Sequence, residues 1–175
     1  SSRGYAVVFM QHPGSDSSIL VDVPTVLKLS VLNQAASAEN FVARIGEVSA
    51  VIDQLEFWNE DPLHSLYEKF DLDRIGMSGH SFGARTTQAV SGENLPWIGQ
   101  PTRDHRIDAA MPFSPSVTGG ADAQQLFEDV NIPLMLMTGT RDFSVVGNTT
   151  VEDSLAVYPA LPPVGKYELV LFEGE

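Results

Sequence analysis

The nine residues Ile75-Gly76-Met77-Ser78-Gly79-His80-Ser81-Phe82-Gly83 constrain the fold of this chain more than any other stretch. They read as a short buried strand that runs into a Gly-x-Ser-x-Gly turn, with a helix starting at Phe82. This combination is a nucleophile elbow, a turn so tight that the serine backbone is strained and its hydroxyl stands exposed at the end of a sheet. Glycine is required at 79 and 83 because a side chain at either place would collide with the neighbouring strand or helix. A five-residue pattern alone is weak evidence, but its setting strengthens it. Asp71-Leu72-Asp73-Arg74 leads into the strand, and Ala84 to Val90 continues as a helix with small residues to pack on a sheet. The competing reading is a glycine-rich turn with an idle serine.

The flanking sequence alternates apolar runs with helical periodicity. Tyr5 to Met10 is a continuous apolar run and reads as a strand buried on both faces, as in parallel sheets. A short helix is expected after Pro24. From Ser37, a helix-capping residue, Phe41, Ile45, Val48, Ile52 and Leu55 recur at steps of four and three. That helix should end near Trp58-Asn59, before Asp61-Pro62. Beyond the elbow helix the expected order is a long loop over 92–106 and a strand over Ile107–Phe113. A short helix over Ala121–Val130, a strand over Ile132–Met137, a helix over Val151–Tyr158 and a last strand over Lys166–Phe172 complete it. Alternation of this kind predicts an α/β fold, a mostly parallel sheet covered on both sides by helices, within a single domain over 1–175.

Composition limits the partners. The formal net charge is −13 and Lys28, Lys69 and Lys166 are the only lysines, which disfavours nucleic acid and anionic membrane surfaces. No apolar run approaches the ~20 residues of a membrane span. There is no cysteine, so a thiolate nucleophile or a disulfide is excluded within these residues. No His/Asp/Glu cluster shows ligand spacing, so no metal or other cofactor is expected.

A serine hydroxyl needs a neighbouring base, usually His, and a carboxylate that fixes the tautomer of that His. With an elbow of this type the chain order is Ser, acid, His. Ser81 is the candidate nucleophile. Asp142, in the turn after the strand ending at Met137, is the candidate acid, with Asp122 and Asp129 as weaker competitors. The backbone N–H of Phe82 is the candidate oxyanion donor. No histidine lies beyond His105. His12, His64 and His105 all precede the acid, and His80 on the elbow points away from Ser81. The base is therefore expected just past Glu175.

Several stretches together resemble the α/β-hydrolase superfamily: Ser2-Arg3-Gly4-Tyr5-Ala6-Val7-Val8, His12-Pro13-Gly14-Ser15-Asp16, Gly79-His80-Ser81-Phe82-Gly83 and Gly139-Thr140-Arg141-Asp142. More narrowly they are similar to dienelactone-hydrolase-like proteins related to platelet-activating-factor acetylhydrolases and polyester-cleaving cutinases. The resemblance implies hydrolysis of carboxylic esters through an acyl-enzyme, on a small-molecule or polyester substrate. It also implies an incomplete sheet, lacking the first strands, the loop with the second oxyanion donor, and the segment after the last strand. Dienelactone hydrolases use Cys, and Ser81 departs from that toward esters. Two alternatives accompany this reading: an acyltransferase or lipase-like variant, and a catalytically inactive, binding-only α/β domain.

Overall fold

A computed structural model of the protein describes residues 3–117, 122–144 and 146–174. It comprises two compact units, Ser1–Asp73 and Arg74–Glu175.

In the first unit, α1 (Thr25–Ala35) follows Pro24, and α2 (Ala38–Glu60) follows Ser37. The Ser37 hydroxyl accepts from the Asn40 N–H at 3.2 Å, which is the cap its sequence position predicts. Phe41, Ile45, Val48 and Ile52 are buried along one stripe of α2, as the spacing requires. The next residues on that helix hold the loop His12–Ser15. Asn40 Nδ2 donates to the Gly14 carbonyl at 3.3 Å, Arg44 Nη1 donates to Ser15 Oγ at 2.9 Å, and His12 Nδ1 lies 2.5 Å from Glu47 Oε2. His12 is thus buried as a fastening of this loop to α2. His64 stacks flat on Trp58, with ring centroids 5.1 Å apart.

Tyr5–Met10 departs from expectation. It forms no strand, and Tyr5 to Phe9 are exposed, Phe9 to 92 % and Tyr5 to 73 %. A run of apolar residues becomes a strand only where a neighbour supplies the ladder of hydrogen bonds, and no described strand pairs with it.

The second unit carries a sheet of four parallel strands in sequence order: β1 (Ile75–His80), β2 (Ile107–Phe113), β3 (Leu134–Gly139) and β4 (Tyr167–Phe172). Between them run α3 (Phe82–Val90), α4 (Ala123–Phe127), α5 (Val151–Leu155) and α6 (Val157–Ala160). The expected helix over Ala121–Val130 is the shorter α4, and Ala121 itself lies outside the described residues. Leu134 and Leu136 of β3, Ile107 of β2, Val90 of α3, Phe127 of α4 and Val157 of α6 make up much of the core. β1 is less buried than its apolar reading implies. Among the described residues it has one neighbour, β2, and Gly76, Ser78 and His80 are exposed in alternation with half-buried residues. The sheet is therefore not covered on both faces along β1. An edge strand with Gly and Ser at alternate positions has little apolar surface to bury on that side.

A buried charge cluster ties α3 to the loop after β2. Arg85 Nη1 lies 2.8 Å from Glu93 Oε1, and the Glu93 side chain is wholly buried. Arg85 Nη1 also donates to the Ser116 carbonyl at 2.6 Å. Gln88 grips the same residue twice, donating from Nε2 to its carbonyl and accepting its N–H at Oε1, both at 3.0 Å. Burial pushes the Glu93 carboxyl up to about 7, against the opposing pull of Arg85. The folded state therefore keeps a proton that the unfolded chain releases near 4.5. The stability this contributes is full below that value and is lost as pH rises through about 7. Glu93→Gln should remove this slope. Calorimetric melting at pH 5 and pH 8 should show the unchanged protein losing about 1–3 kcal/mol more than Glu93→Gln across that interval.

Candidate active site

The elbow is set by the closeness of β1 and α3. A Cβ built on Gly79 would lie 2.5 Å from the Gly83 carbonyl carbon and oxygen. Those are backbone atoms and cannot rotate away, so only glycine passes. Between the two glycines Ser81 adopts φ 54° and ψ −112°, a strained conformation for a residue with a side chain. Its N–H donates to the Phe113 carbonyl at 3.0 Å and its carbonyl accepts from the Arg85 N–H at 3.1 Å. Its hydroxyl does not cap α3 and has no hydrogen-bond partner among the described residues. Ser81 is exposed. The helix it precedes begins at Phe82, whose amide heads the positive end of the α3 dipole.

Asp142 closes the turn that follows β3. Its N–H donates to the Gly139 carbonyl at 3.3 Å, and its Oδ2 accepts from the Thr138 hydroxyl at 2.8 Å. Thr138 is 3 % exposed, so this support is rigid. One carboxylate oxygen is held and the other has no partner among the described residues. Asp142 borders an open pocket of 390 Å³. Phe113, Met137, Phe143 and Phe172 supply its apolar wall, and His80, Ser114, Thr138 and Arg141 its polar groups.

Ser81 and Asp142 stand at the C-terminal ends of β1 and β3, on the same edge of the sheet, with β2 between them. Two strand spacings separate the turns by about 10 Å. The four histidines divide between the two units. His12 and His64 belong to the first unit. His105 lies in the turn before β2, at the opposite edge from Ser81. His80 lines the Asp142 pocket as the immediate neighbour of Ser81. The competing carboxylates are used elsewhere. Asp122 caps α4 by accepting from the Gln124 N–H at 3.0 Å, and Asp129 lies before β3, at its N-terminal end.

Two residues of the site escaped the sequence reading. Thr138 is recognisable only in retrospect, as a hydroxyl four residues before the candidate acid. Ser114 occupies on β2 the position that Ser81 occupies on β1, since His80 pairs with Phe113.

Against known proteins, no family model and no curated protein sequence matches this chain. Solved structures do. A cold-adapted esterase from an Arctic intertidal metagenomic library superposes with a TM-score of 0.51 at 19 % identity, over 85 % of this chain and 55 % of that one. The likeness is one of fold, a parallel sheet with flanking helices. SOBER1 of Arabidopsis thaliana is a more distant likeness, with a TM-score of 0.46 at 17 % identity over 79 % of this chain and 57 % of its own. The chain thus spans little more than half the length of these structures. Among the described residues no helix is long and apolar enough to cross a membrane, and no three His, Cys, Asp or Glu side chains gather as metal ligands.

The contact between Gly79 and Gly83 gives a direct test of the elbow. Gly79→Ala must push strand and helix apart, so urea unfolding should show a loss of at least about 2 kcal/mol. Gly46→Ala, in α2 with open space around it, should be neutral or slightly stabilising.

Proposed function

We propose that this chain carries the nucleophile and the acid of a serine hydrolase acting on carboxylic esters. The observation that supports it best is a strained, exposed serine with an unengaged hydroxyl on the same sheet edge as a carboxylate steadied by a buried threonine. In this reading Ser81 Oγ attacks the ester carbonyl carbon and passes its proton to a base. The tetrahedral oxyanion is met by the Phe82 N–H at the positive end of α3. Collapse expels the alcohol, which takes the proton back from the base and leaves an acyl-Ser81 ester. Water, deprotonated by the same base, then releases the acid and restores Ser81. Asp142, one oxygen held by Thr138, offers the other to orient that base. In this reading the base is an imidazole. The esterase likeness agrees with the chemistry at the level of fold.

The alternative of a binding-only domain draws on the chain order of the four histidines, all of which precede Asp142. Reaction with a fluorophosphonate separates the two. The full-length protein should label at Ser81 and hydrolyse a short-chain nitrophenyl ester, and Ser81→Ala should abolish both. Asp142→Asn should lower kcat by about 10³–10⁴-fold with the fold intact. Full-length protein that neither labels nor turns over would establish the binding-only case.

A further inference from the structure

The strand between the nucleophile and the acid ends in a second strained serine. Ser114 follows Phe113 at the end of β2 and has φ 53°, a left-handed conformation uncommon for a residue with a side chain. It is fixed from both directions. Its N–H donates to the Met137 carbonyl at 2.8 Å, locking it to β3. Two residues on, Ser116 is clamped by Arg85 and Gln88 of α3. Strain of this kind persists only where surrounding contacts over-determine it, and it gathers at functional sites. Ser114 lines the pocket it shares with Asp142, and its hydroxyl has no partner among the described residues. The only other hydroxyl on that pocket, Thr138, is committed to Asp142.

Sheet order gives this serine its meaning. Any group that connects Ser81 at the end of β1 with Asp142 after β3 must pass over the end of β2, and Ser114 is what it passes over. We propose that Ser114 is a positioning residue, its hydroxyl supporting from below the base that bridges Ser81 and Asp142. This rests on the hydrolase reading above. In this role Ser114 acts by holding the base in line between Ser81 and Asp142.

The backbone conformation supplies a discriminating variant. Glycine adopts φ near +53° without strain, so Ser114→Gly removes the hydroxyl and relieves the backbone together, while Ser114→Ala removes the hydroxyl alone. In the full-length protein, kcat and KM for p-nitrophenyl acetate, the rate of fluorophosphonate labelling and the melting temperature are measured for all three forms. Both variants should lower kcat and labelling by about tenfold with KM held within about twofold, and Ser114→Gly should melt higher than the unchanged protein. A Ser114→Gly protein that melts higher with kcat unchanged overturns the proposal. So does a rise in KM alone, which would make Ser114 a substrate contact, or a kcat that simply follows melting temperature in both variants. If the unchanged protein does not label at Ser81, the hydrolase reading fails and this inference fails with it.

Discussion

The separation between a strand and a helix at Gly79 and Gly83 is the constraint on which the rest of the second unit depends. It forces the chain to reverse within three residues, and the residue at the apex must take a backbone conformation that side chains resist. The penalty of order 1–3 kcal/mol is offset by the ladder between β1 and β2 and by the packing of α3 on both strands. The same geometry leaves a hydroxyl without a structural task. A serine at the start of a helix ordinarily caps it, and here the turn prevents that. The unengaged oxygen is thus a direct outcome of the tight approach of two backbones.

What could be read from the sequence follows what local chemistry determines. The elbow was legible because it needs glycine at fixed positions. β2 and β3 were legible because strands between two neighbours are apolar along most of their length, and β4 because Leu169 to Phe172 is a continuous apolar run. The cap at Ser37 and the buried stripe of α2 followed from spacing alone. Tyr5–Met10 was misread because apolarity marks a segment that would gain from burial, and among the described residues no strand pairs with it. β1 was over-read as buried for a related reason: its glycines and serine fit a crowded sheet and an open edge equally well. Thr138 and Ser114 could not be singled out, since their roles arise from register between strands, which no local pattern encodes.

The two histidine-bearing loops of the first unit illustrate how readily a suggestive motif becomes architecture. His12-Pro13-Gly14-Ser15 has the composition of a reactive loop, yet Asn40, Arg44 and Glu47 on successive turns of α2 engage its carbonyl, hydroxyl and imidazole. His64 finds a flat aromatic partner in Trp58. Polar side chains with all their bonding committed to nearby backbone and side chains have little left for a ligand.

The grip of Arg85 and Gln88 on Ser116 has a mechanical consequence. Both side chains stand on the helix that starts immediately after Ser81, so the apex of the elbow and the end of β2 are bolted to one rigid rod. Displacement of that rod should carry Ser81 and Ser116 together. The amides of Ser114 and Ser116 should accordingly share the slow hydrogen exchange of α3, unusual for a connecting segment on a sheet edge.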